Sequence, residues 1–153
     1  MPKRLRIKKG KQIFDWLTVR GGGTLVSSAF NDAVEEIEPG QHQFFPVSVI
    51  DKADVPCPES YFIFNIVGGL TRSSSKKSNL EPLGRGRINA WTYQRAKGPW
   101  SCALDAAIIG GRACWIEHRY GGWWFVSDRL AGLLQQRQLC GFALSEQSDE
   151  ISR

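Results

Sequence analysis

Two histidines, four cysteines and a scatter of serines are the residues of this 153-residue chain that could carry nucleophilic or metal chemistry. A serine or cysteine nucleophile needs a base beside it, and histidine is the commonest. His42 lies in Glu38-Pro-Gly-Gln-His-Gln-Phe-Phe-Pro-Val47, and His118 stands between Glu117 and Arg119. Neither belongs to a nucleophile motif. There is no GxSxG, no HExxH, and no pair of carboxylates at helical spacing. Gly21-Gly22-Gly23 is rich in glycine, but it opens onto a strand and lacks the Lys-Ser/Thr of a phosphate loop. Catalytic triads assemble from distant residues, so motifs alone do not exhaust the possibility. The reading here is that the protein is not an enzyme and uses no cofactor. His42 reads as a hydrogen-bonded structural histidine at a strand entry, and His118 as a solvent-facing side chain.

Cys57, Cys102, Cys114 and Cys140 form no CxxC pair. A zinc site normally starts from a preformed two-ligand clip, which their spacing does not supply. They read as reduced thiols, most of them small core residues, and no metal is expected. The chain shows no export signal: Gln12-Ile-Phe-Asp-Trp-Leu17 is too short and is broken by Asp15. No apolar run approaches a membrane span. A cytoplasmic protein away from membranes is expected.

The net charge of +5 is concentrated. Lys3, Arg4, Arg6, Lys8, Lys9 and Lys11 crowd the first eleven residues with no acid among them, and the remainder holds 14 basic and 15 acidic residues. The segment 1–20 reads as a basic arm and lead-in, most simply solvated. Such an arm can bind phosphate backbones by counterion release, which makes a nucleic-acid-binding module the alternative function. The near-neutral body weighs against it, since no second basic stripe follows.

The elements that would position these residues come from periodicity. Thr24-Leu-Val26 predicts a short strand. Ser27 or Ser28 is a good N-cap, and Phe30, Val34 and Ile37 share one helical face up to the stop at Pro39-Gly40. Phe44–Ile50 and Tyr61–Val67 are aromatic and β-branched, and the turn between them predicts an antiparallel pair. Residues 68–90 are Gly-, Ser- and Lys-rich and predict a flexible loop. Trp91 and Tyr93 restart order as a strand. Cys102–Ile109 fits strand or short helix, Gly110-Gly111 breaks it, and Ala113–Arg119 has strand composition. Trp123-Trp-Phe-Val126 is apolar on both faces, which predicts a strand buried on both or covered on one. Ser127 then caps a helix carrying Leu130, Leu133 and Leu134. Gly141 is expected to end it, and Phe142-Ala-Leu144 to begin a final strand.

Leu25-Val-Ser-Ser-Ala-Phe30 and Phe125-Val-Ser-Asp-Arg-Leu130 repeat one device: apolar strand, serine cap, amphipathic helix. The expected fold is therefore α+β in a single domain over 21–145, with a polar tail at 146–153. It would hold a mixed or mainly antiparallel sheet, a few packed helices, and a pseudo-duplicated strand–helix–strand unit.

Four stretches carry a resemblance: HQFFPV from His42, Gly110-Gly-x-x-x-Trp115, Phe125-Val-Ser-Asp128, and Gly141-Phe142. Together, over Thr24 to Leu144, the chain resembles a family of bacterial immunity proteins encoded beside polymorphic toxins and first catalogued as a domain of unknown function. The stretch Thr71–Pro99 matches no pattern of it. The resemblance implies a protein that neutralises a cognate toxin, encoded by a neighbouring gene, by tight stoichiometric binding. The motif residues His42, Phe44, Pro46, Trp115, Trp124, Ser127, Gly141 and Phe142 read as caps, turns and core aromatics. The toxin-facing side needs about 800 Å² and draws its affinity chiefly from aromatics and arginine. Trp91, Tyr93, Arg95, Trp100, Arg119 and Tyr120 are such residues at expected loops and strand ends, and specificity should sit in 71–100, where variation spares the core.

Overall fold

A computed structural model describes residues 4–7, 13–20, 22–70, 80–82, 91–93, 102–118, 123–144 and 148–151, the segments 80–82, 91–93 and 148–151 through their backbone pairing. Among them the elements run β1 (Arg4–Arg6), β2 (Trp16–Thr18), β3 (Thr24–Ser27), α1 (Ser28–Ile37), β4 (Gln43–Ile50), β5 (Tyr61–Asn65), β6 (Leu80–Pro82), β7 (Trp91–Tyr93), β8 (Cys102–Asp105), α2 (Ala106–Ile109), β9 (Cys114–Glu117), β10 (Trp123–Val126), α3 (Asp128–Gln136) and β11 (Ser148–Ile151). The class is α+β, as the sequence predicts. Contacts gather in two compact units, Met1–Val67 with Asp128–Ala143, and Gly68–Ser127 with Leu144–Arg153.

The first unit is built on a five-stranded sheet in the order β1-β4-β5-β3-β2. The predicted antiparallel pair is β4–β5, registered Phe44↔Phe64 and Pro46↔Phe62. Strand alternation sorts the side chains onto two faces. Leu25, Val47, Val49 and Tyr61 form one buried cluster, which Leu5, Ile7, Ile13, Leu17 and Ile63 join. On the other face Phe64 meets Phe30 of α1 and Trp16 of β2 edge-on, at ring separations of 5.7 and 6.4 Å. Helix α1 starts where predicted: Ser27 is its N-cap, and its hydroxyl accepts from the Phe30 N–H at 3.2 Å. Phe30 and Val34 of the predicted stripe are buried together with Ala33, while Ile37 is half-buried. Phe30 and Val34 are i and i+4, so both face the sheet.

The solvated reading of the N-terminal arm does not hold for Arg4–Arg6, which is strand β1, paired in parallel with Ser48–Ile50 of β4. The reason is an overlooked alternation. Arg4-Leu5-Arg6-Ile7 switches between cation and apolar residue, and Leu5 and Ile7 pack into the cluster around Val49.

Helix α3 also departs from expectation. It ends at Gln136, not Gly141. Gln138 takes the left-handed conformation at φ 55°, its N–H bonds to Gln135 O, and the Leu139 N–H bonds to Leu134 O. These are the two bonds of a Schellman turn, with glutamine where glycine is usual. Phe142–Leu144 then forms no strand. The strand–helix–strand order occurs twice along the chain, as β3–α1–β4 and as β10–α3–β11, but the second closing strand is Ser148–Ile151, paired with β8, and not the expected Phe142–Leu144.

In the second unit, β8 runs into one turn of helix, α2, so both readings of 102–109 apply in succession. Asp105 caps α2, its carboxylate accepting from the Ala107 N–H at 3.2 Å, and Gly110 ends it in the left-handed conformation. Cys102, Leu104, Ile109 and Trp115 make the core of this unit, with Leu70 and Phe125 against it. β9 pairs antiparallel with β10. On its other side β9 receives Leu70, whose N–H donates to Ile116 O at 2.7 Å. β6 pairs with β7, and β11, inside the expected polar tail, runs parallel to β8. The expected flexible loop at 68–90 lies mostly outside the described residues; Leu80–Pro82 within it is strand.

Candidate functional site

His42 is buried, with its side chain 0% exposed. The Val67 N–H donates to its Nδ1 at 3.3 Å, so the ring proton belongs on Nε2, which faces Glu38 Oε2 at 3.2 Å. Phe64 closes on the ring edge-on at 5.8 Å. Both nitrogens thus fasten the end of α1 to the exit of β5. His118 is exposed at the end of β9. Its ring fills the space where a side chain on Gly69 would go, and its N–H donates to Leu70 O at 2.9 Å.

A polar hub that sequence reading missed centres on Asp15. One carboxylate oxygen accepts from the Ser27 hydroxyl at 2.7 Å. The other accepts from the Cys140 N–H at 2.9 Å and from its thiol at 3.4 Å. This joins β2, the cap of α1 and the segment after α3. Its partners lie 12 and 125 residues away, so no local pattern signals it.

Phe44 stacks on Phe64 at 4.6 Å and 10°. Phe142 meets Trp16 and Phe30, each at 6.5 Å. Pro46 sits where β4 has β5 on one flank and, among the described residues, no strand on the other, which suits a residue without an N–H. Gly141 has φ +103°, and a β-carbon there would collide with the Trp16 carbonyl. Trp115 is buried and stacks on Phe125 at 5.8 Å and 9°. Ser127 precedes α3, and its N–H donates to Ala113 O at 2.9 Å. Trp124 is half-buried on β10.

Of the two expectations for β10, burial on both faces does not hold. Trp123 is 50% exposed and the next three residues are half-buried. The reason is position: among the described residues β10 has one neighbour, β9. Trp123 is therefore an exposed aromatic missing from the expected contacts, and the Gly121-Gly122 pair before it in the sequence was the available signal. Of the nominated contacts, Trp91 and Tyr93 are placed on β7 by backbone. Arg95, Trp100, Arg119 and Tyr120 lie outside the described residues.

Chemistry finds little room among the described residues. A pocket of ≈ 10 Å³ lined by Leu104, Asp105, Ile108, Ile109, Glu117 and Leu70 holds about one water. No three metal-capable side chains gather among the described residues. All four cysteines are free thiols, and Cys102 and Cys114 are buried. Burial, with help from Glu59 and Asp51, pushes the Cys57 thiol above its ordinary value, away from the reactive thiolate. No helix of the described residues is long and apolar enough to cross a membrane.

The model of a family described as an immunity protein family (Imm11) matches residues 2–149. No curated protein matches the chain.

Proposed function

The chain belongs to the Imm11 immunity protein family, and on that premise we propose that it neutralises a cognate bacterial toxin by tight stoichiometric binding. It acts by occupying the toxin, not by catalysis. The toxin is the product of a neighbouring gene in a polymorphic toxin system, met in the cytoplasm of the producing cell or its siblings during interbacterial competition. The observation that carries this reading is the family match along nearly the whole chain. It is supported by how the motif residues are used: His42, Phe44, Gly141 and Phe142 are engaged in holding the scaffold. Recognition is then left to other residues, with Trp91, Tyr93, Arg95, Trp100, Arg119 and Tyr120 as the proposed toxin contacts.

The test is co-expression. The C-terminal domain encoded by the neighbouring gene is produced in a sensitive bacterium with and without this protein, and complexes are captured on a tag. Rescue with a stable one-to-one complex is expected. Toxicity without rescue, or no complex, overturns the reading. Alanine placed together at Tyr93, Arg95 and Trp100 should weaken the complex; unchanged affinity and protection would remove that contact set.

A further inference from the structure

The basic strand β1 is a second candidate for contact with a partner. It is the edge of the five-stranded sheet, with β4 on one side and no strand on the other among the described residues. An open edge presents backbone donors and acceptors to any chain that can pair with it. The side chains divide by alternation. Leu5 and Ile7 are held in the core cluster, and the Ile7 N–H donates to Ile50 O at 3.0 Å, so the strand is anchored by the fold itself. Arg4 and Arg6 point outward, 59% and 51% exposed.

Among the described residues one acid faces them. Asp54 Oδ1 lies 2.5 Å from Arg6 and 3.6 Å from Arg4. Its turn is built for this. Asp51 accepts from the N–H groups of Ala53 and Val55 at 2.8 and 2.9 Å, and Asp54 sits in the left-handed conformation at φ 64°. A single carboxylate thus stands in front of two guanidinium groups. The sequence around them adds Lys3, Lys8, Lys9 and Lys11, again with no acid. The excess of cation has no counterpart in its own segment, while the rest of the chain is near neutral.

We propose that β1 is an interaction edge for an acidic polypeptide segment of the toxin, which pairs with its backbone and displaces Asp54 from Arg4 and Arg6. This rests on the toxin-binding function above and adds an electrostatic contact to it. A protein partner fits better than nucleic acid. A duplex engages many cations along a stripe, and here the excess cations all fall in the first eleven residues of a chain that is otherwise near neutral. The edge offers strand pairing, which a polypeptide can use.

The full-length protein is titrated with the toxin domain of the neighbouring gene at about 50 mM and about 500 mM salt, since exposed charge pairs are screened over this range. Wild type is measured first: no complex would defeat the toxin-binding function itself. Given a complex, Arg4→Gln/Arg6→Gln should weaken it by about tenfold at low salt, with the gap closing at high salt. Asp54→Asn should tighten it by about two- to fivefold, because asparagine tolerates the left-handed turn and releases both arginines. A merely structural ion pair would not give that gain. If the double variant misfolds by circular dichroism, the Asp54→Asn titration still decides. Unchanged affinity in either variant overturns the proposal. So does self-association of the double variant with toxin binding intact, which would make the arginines a guard against edge-to-edge pairing. Loss of binding to a duplex DNA probe with toxin binding intact would overturn it in favour of nucleic acid.

Discussion

The aromatics of the first unit and those of the β9–β10 ribbon look alike in sequence and behave differently. In the first unit Trp16, Phe30, Phe44, Phe64 and Phe142 come from β2, α1, β4, β5 and the segment after α3, and each ring meets at least one other. Phe30 is 1% exposed. In the ribbon, Trp115 and Phe125 stack across two strands, and the next aromatic on that face of β10, Trp123, is half exposed. A helix over a five-stranded sheet can enclose a ring on all sides; a strand at the end of a ribbon cannot. Aromatic density therefore marks core in one place and available surface in the other.

The comparison can be broken by substitution. Phe30→Ala removes the ring that Trp16, Phe64 and Phe142 share, and should cost about 3–5 kcal/mol by urea unfolding. A cost near 1 kcal/mol would mean the cluster collapses easily and is no cage. Gly141→Ala should cost about 2 kcal/mol, because its positive φ and the Trp16 carbonyl both refuse a β-carbon. An unchanged melting temperature would show that the segment after α3 does not need its close approach to β2.

Tyr61 reports on the opposite face of the same sheet. Burial first, then the nearby Glu59 and Asp15 charges, raise its phenol from 10.0 to about 12. The folded state favours the neutral form, so this contribution to stability is complete below the unfolded value near 10 and is lost as pH rises from about 10 to about 12. Denaturant midpoints measured across that window should fall for the wild type and fall less for Tyr61→Phe. Equal slopes would place the phenol in water. The smallest effect is expected at the ribbon: Trp123→Ser should change stability by under about 1 kcal/mol, measured in the same way. A loss comparable to Phe30→Ala would mean Trp123 is core after all and erase the contrast.

The local elements were legible in the sequence where one residue or one period decides them. Ser27 caps α1 because a serine oxygen three residues before Phe30 N can satisfy it, and the 3.6-residue stripe needs no distant partner. The antiparallel β4–β5 pair follows from two aromatic runs and a turn. The α+β class and the family motif were readable on the same terms. Tertiary structure decided the rest. Gly141 does not end α3, because its position answers to the carbonyl of Trp16, 125 residues away. Asp15 became a hub through Cys140, at the same separation. Whether Trp123 is core or surface depended on how many strands flank β10. The basic start became a strand because Leu5 and Ile7 found a cluster to join. Periodicity is written into the chain residue by residue; burial and strand neighbours exist only once distant segments have met.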